Sequence, residues 1–330
     1  MSRSTFLRAA STTVAVAASA TLLAACGGEA NADGDPATTT AGTPSASPTG
    51  GSAAASAASA TPNSGTPSAA AEAFTVTHIG GPTTILEVAG ARFLIDPTFD
   101  QPKKYKSGLE KTQPPAFGTD GIGRIDAVLL SHDQHDDNLD DAGRELLKKV
   151  PVVLSTPGAH KRLGDHVTGM ASWTSTELRT PKGTVKVTAV PALHGPDGVD
   201  RGEDGEVTGF VLSGQGVPTT YISGDNASVK VAKEVGDRVK REIGPVDTAV
   251  VFAGAARTPA ILDNAPLTLT SQNAALVAKD LDPRKVVAVH TDSWNIYSED
   301  MASLVKAFQD QGIAGKLVDM RPDGTPANLA

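Results

Sequence analysis

Cysteine is nearly absent from this chain. Cys26 is the only one in 330 residues, which excludes an intrachain disulfide and a zinc site built from several thiolates. A basic excess is absent too: 29 Lys and Arg stand against 37 Asp and Glu, a formal net charge of −8, with a pI near 5.4. That balance lacks the basic face a nucleic-acid partner needs, so no nucleic acid is expected. No internal stretch is apolar for long enough to span a bilayer. From Gly27 to about Glu72 there is no aromatic residue and no apolar period, only Ala, Ser, Thr, Gly and Pro with a few others. Such a segment cannot bury enough surface to offset its ordering entropy, so residues 26–72 are expected to form a disordered linker. A flexible coil of about 46 residues has a root-mean-square span of roughly 35–40 Å, the reach of a tether.

Ahead of the linker, residues 1–25 carry Arg3 and Arg8, an Ala, Thr, Val and Leu stretch, and then Leu23-Ala24-Ala25-Cys26. A basic start, a modest apolar core and small residues at the end describe a secretory signal peptide. The last four residues look like a bacterial lipobox, with Cys26 lipidated as the new N-terminus. The expected location is therefore the outer face of the bacterial cytoplasmic membrane, with the protein exported and held there by a lipid anchor. The run Ser2 to Arg8 resembles a twin-arginine signal with one arginine missing, which leaves the export route open. Residues 73–330 have ordinary globular composition and no second linker, and are read as one domain.

What this domain has in abundance is metal-donor chemistry at the ends of apolar runs. The densest stretch is Ser131-His132-Asp133-Gln134-His135-Asp136-Asp137-Asn138-Leu139-Asp140, directly behind the aliphatic run 125–130. The run reads as a buried strand. Leu139, Ala142, Leu146, Leu147 and Val150 then recur at helical spacing, with Asn138 or Asp137 as the expected N-cap. A solvated loop histidine and an acidic run complementing a helix dipole would explain part of this pattern. His132, His135 and Asp137 together, however, offer neutral nitrogen and anionic oxygen within a few residues, a set suited to zinc. Three more strand ends add donors: His194 after 185–190, Asp225 after 219–223 and His290 after 286–289.

Other strand signals fall at 74–79, 83–88, 91–95, 152–155, 209–212 and 248–252, with helices at 227–243 and 271–281. This alternation implies α/β layers that open with an antiparallel meander. Residues 98–124 show no period, and a loop of that length is commonly a lid or a binding loop. His160 and His166 sit on a polar stretch and are expected to face solvent. Arg257 is expected in a surface salt bridge, with anion binding near the metal as the alternative.

Gly80-Gly81-Pro82-Thr83, Leu94-Ile95-Asp96-Pro97, the His132 to Asp140 stretch, His194, Ser223-Gly224-Asp225, and His290 with Trp294 behind it occur in the order of the metallo-β-lactamase fold hydrolases. Within them the chain is most similar to the branch of ascorbate-phosphate lactonase and the N-acyl-phosphatidylethanolamine phospholipases D. The resemblance implies a four-layer αββα sandwich holding one or two divalent cations, with zinc foremost and manganese or iron as alternatives. It departs from the family motif His-x-His-x-Asp-His. Matching Asp137 to the motif's aspartate places His135 on the second histidine, His132 on the first across one extra residue, and Asn138 on the last. A register starting at His132 instead leaves Gln134 where a histidine belongs.

The resemblance then implies one site of His132, His135 and His194 with Asp225 bridging, and a second of Asp137, Asp225 and His290. Asn138 is at best a weak amide ligand there, and equally well the helix cap. His78, Asp96 and Asp292 are expected to stand behind the ligands and orient them. The implied chemistry is attack by a metal-activated water on an ester, lactone or phosphodiester, with Asp137 and Asp225 as catalytic carboxylates and a small-molecule or lipid-derived substrate. The Asn138 and Gln134 departures keep open an alternative, a non-catalytic metal- or ligand-binding lipoprotein retaining the fold.

Overall fold

The computed structural model describes residues 74–330. The expected signal peptide, the lipidated Cys26 and the linker lie outside the described residues. A seven-stranded sheet runs in the order β15, β1, β2, β3, β6, β7, β8, from β1 (Thr75–Gly80), β2 (Thr83–Val88), β3 (Ala91–Ile95), β6 (Ala127–Leu129), β7 (Val153–Ser155), β8 (Thr168–Gly169) and β15 (Pro326–Asn328). A six-stranded sheet runs β14, β13, β12, β11, β10, β9, from β9 (Ser175–Thr180), β10 (Gly183–Pro191), β11 (Thr208–Gly214), β12 (Val217–Ile222), β13 (Thr248–Phe252) and β14 (Lys285–Val289). The hairpin of β4 (Lys103–Lys104) and β5 (Glu110–Lys111) stands apart from both sheets.

Each sheet begins as an antiparallel meander and continues as parallel strands, β3 to β6 to β7 to β8 in one and β12 to β13 to β14 in the other. The helices are α1 (Asp141–Leu147), α2 (Pro157–Leu163), α3 (Val229–Glu242), α4 (Ser271–Leu281) and α5 (Met301–Asp310).

The layering follows from side-chain alternation along the central strands. Val250, Phe252, Val287 and Val289 turn inward to meet Phe93, Ile95, Leu129 and Leu154 of the other sheet. Their neighbours Ala249, Val251, Val286 and Ala288 turn outward, under Ala232 and Val235 of α3, Ala274 and Val277 of α4 and Leu304 of α5. On the far side of the first sheet, Leu94, Val128 and Val153 pack on Leu146 and Leu147 of α1. A strand with apolar residues on both faces must be covered on both, so two such sheets require four layers. That is the expected αββα sandwich.

Because β3 and β6 are parallel in one sheet, and β10, β12 and β14 share a direction in the other, their C-terminal ends meet on one edge. Neighbouring strand ends of the second sheet pack there with little room to spare. At Gly254, just past β13, a Cβ would stand 1.9 Å from the His290 carbonyl oxygen. Gly254→Ala is therefore expected to displace the strand end that carries His290 and to destabilise the fold by about 1–3 kcal/mol, measured as a lower urea midpoint at unchanged m-value.

Around the donor stretch and the long segment before it, the structure departs from the sequence expectations. The helix after the donor stretch begins at Asp141 and is capped by Asp140, whose Oδ1 accepts from Gly143 N at 2.9 Å. Asn138 and Asp137 are not its caps, because Asn138 N and Leu139 N both turn back to the His135 carbonyl and swing those side chains towards the sheet edge. The 98–124 segment, expected as plain loop, contains the β4–β5 hairpin.

Candidate metal centre

Four strand ends and one turn deliver the donors. The β6 end delivers His132, and the turn after it delivers His135 and Asp137. The ends of β10, β12 and β14 deliver His194, Asp225 and His290. Donor atoms of His132, His135, His194 and Asp225 form one group, and those of Asp137, Asp225 and His290 a second, each within 4.8 Å of one another. Asp225 belongs to both. His132 Nε2 is 2.8 Å from His135 Nδ1, and His194 Nε2 is 3.2 Å from the same atom. His290 Nε2 lies 3.3 Å from Asp137 Oδ2 and 3.4 Å from Asp225 Oδ1.

These residues fit a divalent cation on their own chemistry. His194 Nδ1 donates to the Leu267 carbonyl at 2.9 Å, which leaves Nε2 as a lone pair. Ser131 Oγ lies 2.6 Å from Asp96 Oδ2 and 2.9 Å from His132 Nδ1. With the hydroxyl donating to the carboxylate, His132 Nδ1 carries the proton and its Nε2 is also a lone pair. His135 Nδ1 faces both and carries at most one proton, so one of the two contacts stays lone pair against lone pair. Protonation is no remedy. Burial, and then the neighbouring imidazoles, push His132 well below its ordinary range, and burial does the same to His194. Two nitrogens bound to one tetrahedral zinc at 2.0–2.1 Å stand roughly 3.3 Å apart, close to the spacings seen.

The extra residue in the His132 to His135 spacing is absorbed away from the donors. Asp133 is buried and takes a two-pronged ion pair from Arg162, Nε at 3.0 Å and Nη2 at 2.6 Å, while Arg144 donates to its carbonyl at 2.6 Å. Gln134 Nε2 donates to the Glu203 carbonyl at 2.8 Å.

Asn138 stands differently from the expected weak ligand. Its Nδ2 donates to Asp96 Oδ2 and to Asp225 Oδ1, both at 3.0 Å, so the nitrogen and not the oxygen faces the donor set. Two carboxylates on one side dictate that orientation. Asp96 and Asp292 also act less directly than expected. Asp96 reaches His132 through Ser131 and reaches Asp225 through Asn138. Asp292 touches no ligand imidazole; its Oδ1 accepts from Gly81 N at 2.9 Å. His78 Nε2 donates to the Gly81 carbonyl at 3.0 Å, and the same carbonyl accepts from His290 N at 2.8 Å.

That arrangement supports strain, since His290 has φ of 65° and Asp96 has φ of 37°. Backbone of this kind costs of order 1–3 kcal/mol per residue and persists only where neighbours over-determine it. Arg257 forms no salt bridge among the described residues. It donates to Asn264 O at 2.7 Å and Ser298 Oγ at 3.1 Å. His166 is exposed as expected, whereas His160 is half-buried with Nδ1 on the Val167 carbonyl at 2.7 Å.

Sequence reasoning missed Tyr297. Its hydroxyl donates to Asp137 Oδ2 at 3.2 Å, and its ring lies 4.0 Å from that of His290. The available signal was position alone, one of three tyrosines in the chain, seven residues past His290. It also missed Lys111, which is buried on the hairpin with Nζ 3.1 Å from Asp140 Oδ2 and binds the hairpin to the cap of α1.

A fold of this topology with this donor set defines a metal-dependent hydrolase of the metallo-β-lactamase type. The model of the β-lactamase superfamily domain matches residues 91–291, and the chain belongs to that family. A UPF0173 metal-dependent hydrolase of Bacillus cereus is 26% identical over 256 residues, covering 74% of this chain and 96% of that protein. N-acyl-phosphatidylethanolamine-hydrolyzing phospholipase D 1 of Caenorhabditis elegans is 24% identical over 195 residues, 54% of this chain and 53% of that protein, so the match spans about half of that relative. Among solved structures, isothiocyanate hydrolase from Delia radicum gut bacteria superposes with a TM-score of 0.63 at 21% identity, over 77% of this chain and 98% of that one.

The carboxylates are electrostatically unequal. Burial raises Asp96 to about 7. Burial also raises Asp225 to about 6, opposed by His290 and reinforced by Asp137. Asp137 goes the other way, because the His290 hydrogen bond and charge outweigh its desolvation.

An acid with a raised folded pKa adds stability below its ordinary range and loses it as pH rises through the folded value. Imidazoles lowered below 6.5, such as His132 and His194, add stability as pH rises to about 6.5 and nothing beyond. Chelator-treated protein is therefore expected to lose stability between pH 6.5 and about 7 as Asp96 ionises, with His290, raised by Asp225 and Asp137 against its burial, contributing in the same direction. Urea melts across that window check the sign, and carbon-13 titration checks the Asp96 carboxyl.

Proposed function

We propose that this metal-dependent hydrolase holds one or two divalent cations, zinc foremost with manganese or iron as alternatives, and hydrolyses an ester, lactone or phosphodiester. Its substrate is a small or lipid-derived molecule met outside the cytoplasmic membrane, where a lipid on Cys26 tethers the chain. The observation that carries the hydrolytic reading is the convergence of three imidazole nitrogens on one carboxylate, Asp225, that is shared with a second group. The names of the two sequence relatives support it, one a metal-dependent hydrolase and the other a phospholipase. Support for the tether and the location comes from residues 1–72 of the sequence alone.

His132, His135 and His194 with Asp225 would hold one cation; Asp137, Asp225 and His290 would hold the other. Bound there, a divalent cation acidifies water from pKa 15.7 towards roughly 7 and polarises the scissile group. The chain supplies the rest. Ser131 and the Leu267 carbonyl fix the tautomers of His132 and His194. Asn138 Nδ2 fixes the Asp225 carboxylate, so that its oxygens are aimed before substrate arrives. With only the first group occupied, Asp137, held ionised, is the group placed to accept a proton, and the Tyr297 hydroxyl orients it through Oδ2.

Turnover of ester, lactone and phosphodiester probes is expected to be lost with a chelator and restored by metal. Tyr297→Phe is expected to lower kcat by about 10- to 100-fold with bound metal unchanged. Metal-replete protein that turns over none of the probe classes would favour the non-catalytic binding lipoprotein.

A further inference from the structure

We infer that the cavity beside the donor set seats an uncharged, apolar substituent of the substrate immediately next to the scissile bond; this rests on the hydrolase reading above. The cavity, of about 110 Å³, has His135, Asp137, His194 and Asp225 on one side. The same cavity is lined by Leu109, Ala256, Ile261, Leu267 and Ile296, and the polar lining residues beyond the donors are Ser107, Gln134 and Thr258. A group lying against both sets is adjacent to the reacting bond by position alone. The space is about three or four waters large, enough for a short alkyl chain or one small ring.

No lysine or arginine lines this cavity. The nearby cations are committed elsewhere. Lys111 is buried against Asp140 and Trp294, Arg257 donates to Asn264 O and Ser298 Oγ, and Arg201 Nη1 donates to the His194 carbonyl at 3.1 Å. An anionic substituent would lie against Asp137 and Asp225 with no lysine or arginine in the lining to contact it, Arg201 acting on Asp225 only from outside the cavity. A cationic one would leave water for five apolar side chains. Both are costly, whereas apolar area buried against apolar walls is favourable.

The walls are also held in place before any ligand arrives, which lowers the ordering cost of binding. Leu109 sits on the β4–β5 hairpin, which is tied down by Glu110 N to Asn295 Oδ1 at 3.0 Å and Thr112 N to Ser293 O at 2.7 Å. Ile261 opens a turn in which Leu262, Asp263 and Asn264 all have left-handed φ, at 50°, 51° and 62°. Three consecutive non-glycine residues in that region need an external clamp. Arg257 provides it through Asn264 O, while its own N–H donates to Ile296 O at 2.9 Å. One arginine thus sets two of the five apolar walls.

The test is calorimetric and independent of turnover. Four metal-directed hydroxamates are titrated into the metal-replete protein: acetic, butyric, the monohydroxamate of succinic acid, and that of β-alanine. Butyrohydroxamate is expected to bind about tenfold more tightly than acetohydroxamate, the gain from burying two methylenes, and at least tenfold more tightly than either charged analogue. Ile261→Lys, at a half-buried loop position, is expected to reverse the order in favour of the succinic compound. Equal or tighter binding of a charged analogue to the unmodified protein would overturn the inference, as would an unchanged order in Ile261→Lys. No binding of any hydroxamate to protein with verified metal would show that no coordination position is open to a ligand; that would sink the hydrolase reading, and this inference would fall with it.

Discussion

Asp96 is fully buried, and each hydrogen bond its carboxylate accepts leads to the donor set. Oδ1 takes Ser131 N, the residue before His132. Oδ2 takes Ser131 Oγ and Asn138 Nδ2, and through them reaches His132 Nδ1 and Asp225 Oδ1. One carboxylate at the end of β3 thereby fixes a ligand on its own sheet and a ligand on the facing sheet. Those donors offset part of the cost of its burial, since a buried carboxylate without them would be far more expensive. Its pKa near 7 reflects that balance, with desolvation the largest influence and the donors opposing it.

The rest of the site depends on the sheets being pressed together at that edge. The Phe252 ring stacks on His290 with centroids 5.3 Å apart, so the inter-sheet core runs up to the donors without a polar gap. His290 itself is held in left-handed backbone by the carbonyl of Gly81, and Gly81 is held by His78 and Asp292. Packing and backbone strain place the imidazoles to within hydrogen-bonding distance of one another, although they repel as cations. That conflict is what makes the arrangement a metal centre in waiting and a poor ordinary core.

The sequence showed the layers and the donors because both leave local traces. Strands such as β12 and β14 are rich in β-branched and apolar residues, and each is followed within three residues by the donor it delivers, Asp225 and His290. The details of the donor turn were not legible. Asp137, Asn138 and Asp140 are all good helix caps in isolation. The choice of Asp140 is made by Asp100 N and Lys111 Nζ, 40 and 29 residues away.

The orientation of Asn138 is likewise set by Asp96 and Asp225, at separations of 42 and 87 residues. β9 escaped notice because its residues alternate only between exposed and half-exposed, so no apolar period marks it. The apolar wall of the cavity draws on residues 107–109, 256–267 and 296. No local pattern connects those three segments.

The central claim is that these imidazoles and carboxylates exist to hold a cation. Metal content by plasma mass spectrometry of the purified protein, beside His194→Ala, tests it most directly. The account predicts one to two equivalents of a divalent metal per chain, with at least the first equivalent lost in His194→Ala. Background metal in the unmodified protein after zinc, manganese and iron have each been offered, or full retention in His194→Ala, would contradict it.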